Sequence, residues 1–141
     1  MVRRDQFVNA ARVLFEEKGY ADVGMRAIAD QAGLSPVQAY RLGLAKVDLL
    51  AEISIALTDE QITKITKKVQ KKVDESLSDF VHRYLLMLYV SDIKHIKIRR
   101  ESAAYGWMWS TAYEERIRDQ VMALLNPIIT ALTDEGHPDV P

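Results

Sequence analysis

The sequence contains no cysteine, which rules out disulfides and any thiolate metal site and is consistent with a reducing compartment. Its three histidines, His82, His95 and His137, stand apart. Chance pairs aside, no His, Asp or Glu set has the i, i+4 spacing that puts metal ligands on one helix face, so no metal is expected. No apolar run approaches the roughly 20 residues of a membrane span. The start MVRRDQF is too polar for a signal peptide, so the expected place is the cytoplasm, with no membrane partner. Neither sign of charge prevails: 19 basic and 20 acidic residues leave a formal charge of -1 and a pI near 6.3. Partners are therefore not legible from net charge. There is no nucleophile elbow, no phosphate-cradling glycine loop and no paired Cys and His. Neither an enzyme nor a cofactor is expected, and no catalytic residue is assigned.

With 48% hydrophobic residues in 141, the chain can build a real core, as one compact unit or two tightly packed ones. Its most informative stretch is Met25 to Lys46. Met25, Ile28, Ala29 and Ala32 fall at i, i+3, i+4 and i+7, one apolar helix face, and Gly33 follows where a left-handed residue would stop that helix. Ser35 then suits a new N-cap, Pro36 the first helical position, and Gln38 the far side of a Ser-x-x-Gln capping box. Two short helices across about three residues make a candidate helix-turn-helix, whose second helix would lie in a major groove with Pro36, Val37, Gln38 and Arg41 facing DNA.

The stretch FVNAARVLFEEKGYADVGMRAIADQAGLSPVQAYRLGLAKVDLL resembles the N-terminal domain of the TetR family of ligand-responsive transcriptional repressors. Phe7, Ala11, Phe15, Gly19, Tyr20, Ile28, Ala29, Gly33, Leu34, Ser35, Tyr40, Lys46 and Leu49 fit the family pattern in order. The resemblance implies DNA contacts from Arg26, Ser35, Pro36, Val37, Gln38, Tyr40, Arg41 and Lys46. Ser35, Tyr40 and Lys46 would meet phosphates; Gln38 and Arg41 could read base edges, unless Gln38 is committed to its capping box. Several positions depart from the pattern. Gly24 replaces a Thr or Ser cap, Val37 and Gln38 a small residue and Thr, Gly43 a bulky aromatic, Ala45 a Ser or Asn cap, and Val47 a Glu. Residues 1–50 carry seven basic and six acidic side chains, 7 - 6 = +1, which predicts modest non-specific DNA binding.

The remaining chain reads as helices. The first is expected from about Arg4 to Lys18, with Arg3 and Arg4 either a phosphate-seeking arm or solvated. A long fourth helix follows Lys46 on Leu49, Leu50, Ile53, Leu57, Ile62, Ile65, Val69 and Val73, with Lys64, Lys67, Lys68, Lys71 and Lys72 as its solvated outer face. Ser76 with Asp79 should open a fifth helix on Leu77, Phe80, Val81, Tyr84, Leu85 and Leu88. Ser91 should cap a sixth through about Trp109, and Thr111 with Glu114 a seventh on Ile117, Val121, Leu124, Ile128 and Leu132. That helix would be kinked at Pro127 and stopped at Gly136-His137-Pro138. There is no strand signal and no internal repeat.

The expected fold is all-α: a three-helix helix-turn-helix DNA-binding domain over residues 1–45, joined by a long helix to a helical ligand-binding and regulatory domain over 46–141. TetR proteins continue with two further helices that pair in the dimer, so the chain is expected to be a fragment or to dimerise by another surface. By the resemblance, an inducer sits among helices four to seven. The candidate ligand-binding residues are Phe80, Tyr84, Leu88, Ala104, Trp107, Met108 and Tyr113, an aromatic and methionine lining suited to a flat apolar ligand or a cation, with plain core packing the alternative for Phe80, Tyr84, Leu88, Trp107 and Met108. Trp107 and Trp109 cannot share one helix face, being turned by roughly 200°. The expected function is a TetR-like regulator, a repressor whose affinity for a double-stranded operator is controlled by a small apolar or aromatic effector, acting as a homodimer. The alternative is a helical ligand- or partner-binding protein with a degenerate helix-turn-helix.

Overall fold

The computed structural model describes residues 2–134, and among them every regular element is a helix. These are α1 (Val2–Lys18), α2 (Met25–Ala32), α3 (Pro36–Arg41), α4 (Lys46–Lys68), α5 (Leu77–Ile93), α6 (Ile96–Tyr105) and α7 (Thr111–Asp134), with 3-10 turns at Tyr20–Asp22 and Gly106–Met108. The stop expected at Gly136-His137-Pro138 lies outside the described residues.

The first core forms where the apolar stripes of α1, α2 and α4 meet. Phe7, Phe15, Ile28, Leu49, Leu50 and Ile53 are all fully buried there, each removing enough apolar surface to contribute roughly 1.5–3 kcal/mol. Ile98 of α6 completes this core, with Tyr105 and Trp109 packed against it, so the late helices are part of the support for the early ones. A second, smaller core gathers Ile65, Val69, Phe80, Tyr84 and Ala131 from α4, α5 and α7.

Several expected boundaries are corrected. α4 stops at Lys68, and Val73 is 97% exposed in the following turn rather than on the buried stripe. Continuing the helix would stack Lys64, Lys68 and Lys72, and Lys67 and Lys71, as like-charged i, i+4 neighbours. Instead the turn is clasped by Arg83, which donates to Gln70 O at 2.7 Å and to Glu75 Oε1 and Oε2 at 2.7 and 2.9 Å. Ser76 caps α5 as expected, its hydroxyl accepting from Asp79 N at 3.1 Å.

Ser91 is no cap. It lies inside α5, and α6 starts only after His95, whose backbone NH donates to Asp92 O. α6 ends at Tyr105, not Trp109, because the chain tightens into the Gly106–Met108 turn. Ser110 rather than Thr111 precedes α7, its carbonyl accepting from Tyr113 N and Glu114 N. The inward face of α7 is also rotated from the expected one. Gln120 and Ala131 are buried while Val121 is exposed, because α7 meets α4 through Gln120, which donates to Ile55 O and Asp59 Oδ1. Leu85 of α5 is likewise exposed.

Candidate nucleic-acid interface

The helix-turn-helix forms where its local sequence directs it. Gly33 takes φ 71°, ψ 28°, the left-handed conformation in which a side chain is disfavoured, and Leu34 N donates back to Ala29 O at 2.9 Å to close the helix end. Ser35 is the extended N-cap of α3, and Gln38 Oε1 accepts from its backbone NH at 2.8 Å and from its hydroxyl at 3.3 Å. The side-chain oxygen of Gln38 thus holds the cap, so base reading from it would fall to its amide nitrogen. Ala39, 2% exposed, anchors the short helix in the first core.

Around that anchor, Pro36, Val37, Tyr40 and Arg41 stand in solvent, with Arg26 of α2 and Ser35 also exposed. Tyr40 is 85% exposed, its whole ring and not the hydroxyl alone. The departures from the family pattern are physically legible. Gly43 adopts φ 68°, a turn position where glycine is the least strained residue. Gly24 and Ala45 cap α2 and α4 in extended conformations, and Asp48 Oδ2 accepts from Ala45 N at 2.9 Å, preserving half of a capping box without a capping side chain.

Lys46 opens α4 half-buried, with Nζ 4.1 Å from the centre of the Tyr20 ring, a cation–π contact. Desolvation lowers its pKa, opposed by the charges of Glu101 and Asp22. Arg4 is not a free phosphate arm: it donates to Glu52 Oε1 at 2.8 Å and to the Tyr113 hydroxyl at 3.0 Å, and this hydrogen bond to Glu52 raises its pKa. Arg3 is exposed.

Helix α6 supports this head from behind, which the sequence did not announce. Glu101 Oε1 accepts from Tyr20 N at 2.8 Å, the Tyr105 ring lies 4.4 Å from that of Tyr20, and Lys97 Nζ donates to Glu16 O at 3.0 Å. Glu101 looks like one more solvated acid on an amphipathic helix; only its contact with a distant turn sets it apart.

The aromatic and methionine set expected to line one pocket is dispersed. Phe80 and Tyr84 are buried in the second core, Tyr84 donating its hydroxyl to Leu124 O at 2.6 Å, and Leu88 packs beside them. Tyr113 sits against Arg4, and Ala104 is exposed on α6. Trp107 is 79% exposed and Met108 is exposed too, because Trp109 takes the inward place: its ring packs beside Gly106 and its Nε1 donates to Val47 O at 3.1 Å. The space among α4, α5, α6 and α7 is instead a small cavity of about 190 Å³, partly open to solvent and edged by Thr58, Gln61, Asp92, Arg99 and Gln120. Its sequence signal was Gln61, a polar residue on the stripe of Ile53, Leu57 and Ile65.

Among the described residues, no group of three His, Asp or Glu side chains is placed to hold a metal ion, and no helix is long and apolar enough to cross a membrane. Residues 7–53 match the model of the family described as bacterial regulatory proteins, tetR family. The fold is similar to that of a solved transcriptional regulator of the TetR/AcrR family from Thermobifida fusca YX-ER1. The TM-score is 0.68 at 21% identity, over 96% of this chain and 72% of that one. At that identity the likeness speaks to the fold. No curated protein matches the chain.

Proposed function

We propose that this chain, whose residues 7–53 match the model of the tetR family of bacterial regulatory proteins, is a repressor which binds a double-stranded operator as a homodimer in the cytoplasm. Residues 1–45 would be the DNA-binding domain and 46–141 the regulatory one. The observation that carries this reading is α3: a capped helix anchored by buried Ala39 that offers Pro36, Val37, Tyr40 and Arg41 to solvent beside the exposed Arg26 of α2. A helix so presented fits a major groove, and Ser35, Tyr40 and Lys46 are suitably polar for flanking phosphates, with Gln38 and Arg41 nearest the bases.

Control by a small effector would act through α6, which touches both the cavity at Arg99 and the turn at Tyr20. A ligand can shift operator affinity only by its differential affinity for two arrangements, typically about 1–3 kcal/mol. The second reading, a helix-turn-helix that no longer binds an operator, draws on Lys46 lying over Tyr20 and on the commitment of Gln38 Oε1 to its cap.

The test is a fluorescence anisotropy titration of the chain with the duplex flanking its own coding region and with a random duplex, at several salt concentrations. Preference for the flanking duplex over a salt-steep random background supports the regulator. Equal or absent binding to both, from a chain shown to be dimeric by light scattering, favours the second reading.

A further inference from the structure

Four polar side chains are buried among the described residues, Ser54, Thr58, Gln61 and Gln120, and all four line the same cavity of about 190 Å³. Burying a polar group costs free energy unless it is partnered, so a cavity that exists only for packing would be lined by aliphatic side chains. Two of the four, Thr58 and Gln61, are joined through Arg99. Thr58 Oγ1 donates to Ser54 O at 2.9 Å and accepts from Arg99 Nη1 at 2.8 Å. Gln61 Nε2 donates to Asp92 Oδ1 at 3.1 Å while its Oε1 accepts from Arg99 Nη2 at 3.3 Å.

The Arg99 guanidinium closes one side of the cavity, and its pairing is incomplete. Its Nε is buried 3.2 Å from Asp92 Oδ1, an ion pair, yet makes no hydrogen bond. A guanidinium holds a carboxylate best through two parallel N–H···O bonds, which this single misaligned oxygen does not supply. The Asp92 side chain is also the looser partner, 47% exposed against 21% for Arg99.

We propose that this cavity binds a small organic carboxylate whose carboxylate group displaces that of Asp92 from both the guanidinium of Arg99 and the amide nitrogen of Gln61. An apolar cavity of about 150 Å³ accommodates a molecule the size of benzene, so the ligand is of that order. The class differs from the flat apolar effector that the aromatic residues suggested, because those residues are not at the cavity. The proposal rests on the regulatory reading only in taking this molecule as the effector; binding is measured without DNA.

The experiment is calorimetric titration of the whole chain with L-lactate, L-alanine and benzoate, and with lactamide, L-alaninamide and benzamide as neutral counterparts. At least one acid is expected to bind, with its amide about tenfold or more weaker. Arg99→Gln should abolish that binding, and Asp92→Asn should tighten it by about tenfold, since the competing carboxylate is gone. Asp92→Asn keeps both ends of the test available if Arg99→Gln fails to fold, as circular dichroism will report. No binding of any acid to the native chain or to D92N overturns the proposal, as does binding that the amides or a folded R99Q match. Carboxylate binding of the expected pattern that leaves DNA affinity unchanged supports the site and overturns the effector reading alone.

Discussion

The ammonium of Lys46 lies 4.1 Å from the centre of the Tyr20 ring, so the cation at the start of α4 is docked on the protein's own surface. It remains half-exposed, and a phosphate arriving at that helix start would meet both its charge and the backbone NH groups of the first turn. Lys46→Ala is expected to weaken binding to every duplex alike and to lower the slope of log K against log salt by about 1. Salt-dependent anisotropy measures both quantities. An unchanged affinity and slope would leave Lys46 with Tyr20 as its sole partner.

Glu101 ties α6 to the head through Tyr20 N. Removing the carboxylate leaves that part-buried NH without its acceptor, a loss of up to about 1–3 kcal/mol. Urea unfolding should therefore find Glu101→Ala less stable by that order and Glu101→Gln intermediate, because the amide oxygen can still accept. Equal stability of all three chains would mean that the contact contributes nothing.

Acid should loosen the turn between α4 and α5. Its hydrogen bond from Arg83 holds Glu75 well below the ordinary 4.5, at about 2. A carboxylate whose pKa is depressed in the fold adds stability that is complete above the unfolded value and disappears as pH falls through the folded one. The loss is thus expected between pH 4.5 and about 2. In unfolding measured at pH 6 and pH 3, the native chain should lose more stability on acidification than Glu75→Gln. Parallel losses would place the acid sensitivity elsewhere.

The helix-turn-helix was legible because short-range chemistry determines it: Gly33 stops one helix, Ser35 and Pro36 start the next, and Gln38 closes the cap. The later boundaries were less so. Ser91 and Thr111 both have capping side chains, but a cap contributes only about 1 kcal/mol, and packing of α5 and α7 against α4 decided where those helices run. The placement of the aromatic cluster was not legible for a related reason. Trp107, Met108 and Trp109 are adjacent in sequence, and a tight turn at Gly106–Met108 sends the first two outward and the third inward. Arg99 and Glu101 were missed since a charged residue on an amphipathic helix has no local mark of what it faces.

Those two residues, separated by one position on α6, face opposite ways: Arg99 to Thr58 and Gln61, Glu101 to Tyr20. A helix of ten residues is about 15 Å long and, over that distance, stiff. Were α6 to roll about its axis it would act as a rocker rather than a wire, moving both flanks together with no chain of intermediaries between them.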